Sequence, residues 1–151
     1  MSSEKTIPSA ALALGAAGVI PFLACTAGLA AGFAVPGIGG GERLSQALIV
    51  YGVAILSFLG GVRWGIAIGY ESEAAQRRDF IIAVVPALIG WAAALLAPGA
   101  ALWSLCAAFI LLGLMDYGLY CRDVAPEWYG RLRLGLSAAV AVLLGVAAAA
   151  A

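Results

Sequence analysis

Two ionisable residues interrupt long apolar runs of this 151-residue chain, and the chemistry they offer together is that of an ion pair. Arg63 lies in the run of residues 51–69, and Asp116 lies in the run of residues 100–120. At helical rise, each is about 6–9 Å from the end of its run, in the same half of a membrane. An unpaired charge at that depth costs about 2–3 kcal/mol. We therefore expect an Arg63–Asp116 pair; the alternative is that Arg63 reaches the lipid phosphates while Asp116 bonds a hydroxyl or a water.

No other set of residues suggests a catalytic or metal centre. The chain has no histidine, and Cys25, Cys106 and Cys121 form no CxxC motif. Ser57 has no nearby histidine or lysine in the sequence to activate it, and a carboxylate held by arginine favours a clamp over a proton relay. The formal net charge of zero suggests no polyanion as partner. We predict a protein that is not an enzyme, has no cofactor or metal and binds no nucleic acid.

The elements that must position this pair are transmembrane helices. Hydrophobic residues make up 64% of the chain and charged residues 11%, a composition typical of membrane proteins. The apolar runs predict an all-α bundle of five transmembrane helices in a single domain, residues 1–151, with a charged connector at 71–78 and Asp79 opening the third helix. A cleaved signal peptide is the alternative for the first run. The predicted spans are residues 10–33, 45–70, 80–97, 100–120 and 131–150.

Glycines at four-residue spacing indicate where helices approach each other closely. Gly61, Gly65 and Gly69 form a smooth strip on the second span, and Gly28 and Gly32 on the first span could supply its partner strip. A dimer interface is the other use of such glycines.

Two prolines fall inside predicted spans. Pro21 and Pro86 each remove a backbone donor, so we expect a local kink at each. Kinked helices also occur in alternating-access carriers, which leaves a transport role open.

The positive charges other than Arg63 predict the orientation. Six of them lie on the side of the N-terminus and of the second and fourth loops, against Arg43 alone on the other side. The positive-inside rule then places the N-terminus in the cytoplasm and the C-terminus in the periplasm of a bacterial inner membrane. Residues of the types that anchor helices at a membrane surface are Trp64, Trp128, Tyr129, Arg131 and Arg133.

The sequence also resembles a known family. The stretch YGVAILSFLGGVRWG from Tyr51, Pro86 with Trp91 in the third span, and PEWYGRLRLGLS from Pro126 carry the likeness. They resemble a family of small integral membrane proteins of unknown function in proteobacteria, whose eukaryotic relatives are called transmembrane protein 69. The resemblance implies a multi-span inner-membrane protein and supplies no activity.

These observations favour a non-catalytic accessory, assembly or scaffold subunit. Its glycine-rich face would pack in the bilayer against another membrane protein or a second copy of itself. The bacterial and mitochondrial distribution implied by the resemblance suggests a respiratory complex as that partner. The alternative is a small solute or ion carrier or channel that uses the kinked helices and the Arg63–Asp116 pair.

Overall fold

The computed structural model describes residues 6–151, and they fold into five α-helices joined by short connectors. The all-helical prediction is confirmed. The helices are α1 (Ser9–Ala31), α2 (Glu42–Ile68), α3 (Glu73–Ala94), α4 (Pro98–Cys121) and α5 (Glu127–Ala150).

The helices form a ring in chain order. Each helix packs against its neighbours in sequence, α1 closes the ring against α5, and α2 also reaches α4 across the middle. The most extensive contacts are those of α4 with α5 and of α2 with α3, as expected for helices joined by four or five residues. Consecutive helices run in opposite directions, so α2 and α4 end where α3 and α5 begin. We call this the charged end of the bundle and the opposite one the far end.

Within residues 6–151, four helices are long and apolar enough to cross a membrane, namely α1, α2, α4 and α5. The third helix does not meet this criterion because its first two turns carry Glu73, Arg77, Arg78 and Asp79. The structure extends this helix back to Glu73, where the sequence predicted a charged connector. Ser72 begins it, since its hydroxyl accepts a hydrogen bond from the Ala75 amide at 3.4 Å.

The prolines lie within continuous helices. Pro21 is inside α1 and Pro86 inside α3. Pro86 is buried, and a methyl group placed on Gly60 of α2 would lie 3.8 Å from its ring. Pro86 thus contributes to the α2–α3 contact, and the kinks stay a prediction.

Apolar side chains fill the bundle toward the far end. Phe22 of α1, Leu56 of α2, Leu105 and Phe109 of α4 and Leu144 of α5 are all at most 1% exposed. The rings of Phe22 and Phe109 meet edge to face with centroids 5.8 Å apart. The polar side chains that concern function therefore lie at the charged end.

Candidate functional site

Four helices each place one buried charged residue near the charged end. They are Arg63 on α2, Asp79 on α3, Asp116 on α4 and Arg133 on α5. Each is five or six residues from the end of its helix, about 7–9 Å along the axis. Because the depths match, the four side chains meet, and we call them the charge network.

The charge network runs from α3 to α5 through alternating signs. Arg133 Nε donates a hydrogen bond of 2.8 Å to Asp116 Oδ2, while Asp116 Oδ1 lies 3.7 Å from Arg63 Nη1. The second terminal nitrogen of the same guanidinium, Arg63 Nη2, lies 3.7 Å from Asp79 Oδ2. Arg63 thus bridges two aspartates, and Asp116 bridges two arginines.

Asp79 has two further partners at the edge of the network. The Tyr70 hydroxyl, just beyond the end of α2, donates a 2.8 Å hydrogen bond to Asp79 Oδ2. Arg78 Nε donates one of 3.0 Å to Asp79 Oδ1, and its side chain is 54% exposed. Burial, reinforced by the bond to Asp79, raises the pKa of Tyr70 above its ordinary value.

The hydrogen bonding inside the network is incomplete. Separations of 3.7 Å allow Coulombic attraction but exceed hydrogen-bond length. Several buried polar atoms in and beside the network have no hydrogen-bond partner among the described residues. They are Arg63 Nε and Nη1, Asp116 Oδ1, Arg133 Nη2 and Ser137 Oγ.

This arrangement is suited to holding helices or binding a polar group rather than to acid–base chemistry. Arginine side chains are donors in hydrogen bonds and ion pairs, and Arg63 and Arg133 both face the Asp116 carboxylate. Across the described residues, no group of three or more cysteine, aspartate or glutamate side chains could hold a metal ion.

The structure brings Arg63 and Asp116 together, as the sequence suggested, and adds two members that sequence reasoning missed. Asp79 was expected to open its helix, but Ser72 does so, and Asp79 is fully buried seven residues further on. Arg133 was expected at the membrane surface; that prediction is wrong, because its side chain is only 9% exposed and binds Asp116.

The other expected anchors lie at the charged end. Trp64 is exposed and its ring lies 4.4 Å from that of Phe80. Trp128 and Tyr129 are half-buried neighbours. Arg131 is exposed and pairs with Glu127 at 3.4 Å.

The predicted glycine contacts are wrong within this chain. Side chains built on Gly61 and Gly65 would meet no atom within 4 Å, and Gly69 lies beyond the end of α2. Their proposed partners are elsewhere: Gly28 packs on Leu44 at the start of α2, and Gly32 ends α1 with a φ of 72°. The strip faces outward because Arg63, on the opposite side of α2, faces the bundle.

Other glycines make the close contacts. A methyl group on Gly60 would overlap the Ala83 carbonyl oxygen of α3, and one on Gly113 would lie 2.6 Å from Ser137 Cβ of α5. Each of these glycines lies three residues before a charged member of the network, Arg63 or Asp116. Close backbone approach thus accompanies the ion pairs.

Comparison with known proteins identifies the family. Residues 7–149 match the family described as "Protein of unknown function (DUF3429)". The chain belongs to this family. The DUF3429 match covers all five helices except the last residue of α5, so the charge network lies entirely within it.

A curated relative of this DUF3429 protein is "Transmembrane protein 69" of Xenopus tropicalis. The two are 35% identical over 134 residues, which cover 85% of this chain and 49% of the relative. The chain therefore spans about half the length of the curated relative that it matches. No solved structure matches. The resemblance seen in the sequence is confirmed, and the chain is a multi-pass membrane protein.

Proposed function

We propose that this protein is a non-catalytic accessory or scaffold subunit that docks on another membrane protein through Gly61 and Gly65. The observation that carries the proposal is the open space beside these glycines, where an added Cβ would meet nothing within 4 Å. Both residues are exposed on a helix that spans the membrane. Small residues let a second helix approach closely, where packing replaces the missing hydrophobic driving force.

The charge network supports this role by fixing the helix that carries the strip. Arg63 lies between Gly61 and Gly65 in the chain but points into the bundle, toward Asp79 and Asp116. Rotating α2 about its axis would separate these charges in a medium of low dielectric constant. The network therefore holds the glycines facing outward. Because α2 is already fixed in this orientation, binding a partner costs less conformational entropy.

On the same reasoning, we propose that α3 is a fifth membrane crossing. Its buried charge, Asp79, faces Arg63 and Arg78 rather than lipid, which removes the main cost of insertion. Exposed arginines at the charged end are Arg77, Arg78, Arg122 and Arg131, whereas Arg43 begins α2 at the far end. We infer that the charged end is cytoplasmic in a bacterial inner membrane; Lys5, also counted for that side, lies outside the described residues.

Reporter fusions test this orientation. We expect cytoplasmic reporter activity at Ala75, in the first turn of α3, and periplasmic activity at Gly40 and after Ala151. A periplasmic signal at Ala75 would contradict the orientation. Equal signals at Gly40 and Ala151, with the opposite signal at Ala75, would support five crossings.

Gly65→Leu tests the docking strip, with Gly135→Leu as its matched control. Gly135 is also an exposed helical glycine with open space around it, but it lies on α5. Both variants should keep the thermal stability of the wild type in detergent because both positions are exposed and a Cβ there meets no neighbour. Affinity purification from native membranes, followed by mass spectrometry, should lose a co-purifying membrane protein only in Gly65→Leu.

The outcome also identifies the partner. Loss of a respiratory complex component would specify the assembly, whereas loss of a tagged second copy would show a homodimer. Unchanged co-purification by Gly65→Leu would show that the strip faces lipid only.

A carrier is the alternative function, and one feature favours it. Arg63 lines a cleft at the charged end together with Arg78 and Arg122, where an anion could reach the network. Against it, the core beyond the network is apolar, and its Thr26 hydroxyl is bonded to the Leu143 carbonyl at 3.2 Å. A polar solute would find few ligands there, so the scaffold is better supported.

A further inference from the structure

An apolar groove opens on the membrane side of the bundle between α1 and α2. Residues of α5 and Phe109 of α4 form its remaining walls, and its volume is about 340 Å³. That is within the range of small-ligand pockets, about 300–1,000 Å³. Leu14 and Phe58 at its edge are 75% and 65% exposed, so the groove is accessible from the lipid.

Three polar residues of α5 contribute to one wall of this otherwise apolar groove. Arg133 and Ser137, one helical turn apart on α5, line it, and Tyr129 lies one turn nearer the charged end. Arg133 Nη2 and Ser137 Oγ are buried and have no hydrogen-bond partner among the described residues. Since Arg133 uses Nε to bind Asp116, its free Nη2 is available to another group. Two unsatisfied donors in an apolar groove call for a ligand with an oxygen acceptor.

We propose that the groove binds a single-chain fatty acid, with the carboxylate on Arg133 and Ser137 and the hydrocarbon chain along the apolar walls. The chain would lie against Val19, Phe22, Ile55 and Val140, which line the part of the groove farther from the charged end. A guanidinium edge and a neighbouring hydroxyl are good partners for a carboxylate. This site is separate from the glycine strip and does not depend on the proposed docking function.

The donor on Arg133 favours a carboxylate head. Arg133 Nη2 belongs to a cationic guanidinium, so an ionised carboxylate makes a stronger hydrogen bond to it than a neutral alcohol does. The groove volume suits one hydrocarbon chain better than the two chains of a phospholipid.

Native mass spectrometry of the delipidated full-length protein in detergent tests the site. The probes are hexadecanoate, hexadecanol with the same chain and no carboxylate, and phosphatidylglycerol. We expect one hexadecanoate per chain, and binding of hexadecanol at least about tenfold weaker, the effect of losing one charge-assisted hydrogen bond.

Two variants locate the bound molecule without removing a charge. Ser137→Ala keeps the Cβ that packs on Gly113 and loses only the hydroxyl, so affinity should fall about tenfold. Gly18→Leu fills the groove, where a Cβ would meet only the Tyr51 hydroxyl, at 3.9 Å, and should abolish binding. Gly135→Leu, outside the groove, should bind like the wild type.

Three results would overturn the proposal. They are equal affinities for hexadecanoate and hexadecanol, binding of hexadecanoate by Gly18→Leu at wild-type strength, or binding of phosphatidylglycerol in preference to hexadecanoate. The thermal stability of each variant in detergent is measured as a control, so that a loss of binding is interpreted only for variants that are folded.

Discussion

The two halves of the bundle hold the same helices together by different means. At the charged end, one charged residue from each of four helices forms a chain of ion pairs, the tightest being Arg133 with Asp116 at 2.8 Å. Toward the far end, the contacts are apolar, such as the meeting of the Phe22 and Phe109 rings.

The difference teaches where specificity resides in this protein. Apolar side chains gain little by leaving lipid for a protein interior, so the far end can supply close packing but few reasons to prefer one neighbour over another. Charges at matched depth discriminate strongly, because a wrong neighbour leaves one of them unpaired. We infer that the ion pairs at the charged end determine which helices are adjacent, and that the apolar side chains of the far end then pack in that arrangement.

The largest effect should follow from Asp116→Ala. This change leaves both Arg63 and Arg133 without their shared carboxylate, while Arg63 keeps only Asp79. Breaking a buried ion pair from one side costs about 3–5 kcal/mol. Chemical denaturation in detergent should show a loss of that order in the free energy of unfolding, or failure to accumulate folded protein.

A double-mutant cycle separates coupling from simple loss of packing. Arg63→Ala with Asp116→Ala should lose less stability than the sum of the single variants, because neither residue then strands the other. Phe109→Leu serves as the comparison at the apolar half and should cost clearly less than Asp116→Ala. Additive losses in the cycle, or a larger loss from Phe109→Leu, would contradict the division between the two halves.

How far the site could be predicted from sequence depended on the surroundings of each charge. Arg63 and Asp116 were found because they interrupt apolar runs, and the cost of charge in lipid required partners for them. Asp79 and Arg133 were missed because each follows a polar segment, ESEAAQRR or EWYGR, that fits a connector or a membrane surface equally well.

The helical spacing of small residues could have identified both Asp79 and Arg133. Asp79 is followed at three- and four-residue steps by Ala83, Pro86, Gly90 and Ala93, all buried. Arg133 likewise lies between Gly130 and Ser137 on the buried face of α5. A charged residue in phase with the small residues of a helix faces the bundle, whatever the polarity of its neighbours in the chain.

The contacts predicted for the glycine strip were wrong because spacing alone does not identify the neighbour of a helix face. Spacing showed that Gly61 and Gly65 share one face of α2, but it could not show whether that face meets this chain or another molecule. The position of Arg63 across the helix decides it, since the charged face turns inward and the glycines turn out.

A moderate difference in stability is expected between alanine variants of two adjacent glycines of α2, Gly60 and Gly61. In Gly60→Ala, the new methyl group overlaps the Ala83 carbonyl oxygen, and backbone can yield only by shifting the helix. We expect a loss of about 1–3 kcal/mol, the usual cost of overpacking. Gly61→Ala, whose methyl group meets nothing within 4 Å, should be nearly neutral in isolated protein. Equal stabilities on denaturation would show that the α2–α3 approach is looser than described.

The smallest loss of stability is expected from a change at the edge of the charge network, Tyr70→Phe. Tyr70→Phe removes the 2.8 Å hydrogen bond to Asp79, while Arg63 and Arg78 remain beside that carboxylate. One hydrogen bond contributes about 0.5–1.5 kcal/mol. Tyr117→Phe, at the same end of the bundle but outside the network, is the control and should cost less.

The pH dependence of that difference identifies the hydroxyl itself. The pKa of Tyr70 is raised in the folded protein above its reference value of 10.0, first by burial and then by the bond to Asp79. Below pH 10 the hydroxyl is protonated in both states, so its full contribution to stability is present. As the pH rises through the folded pKa, the unfolded chain ionises first and unfolding becomes easier. The stability gap between wild type and Tyr70→Phe should therefore be constant below pH 10 and shrink above it; a gap that stays the same above pH 10 would contradict a raised pKa of the Tyr70 hydroxyl in the folded protein.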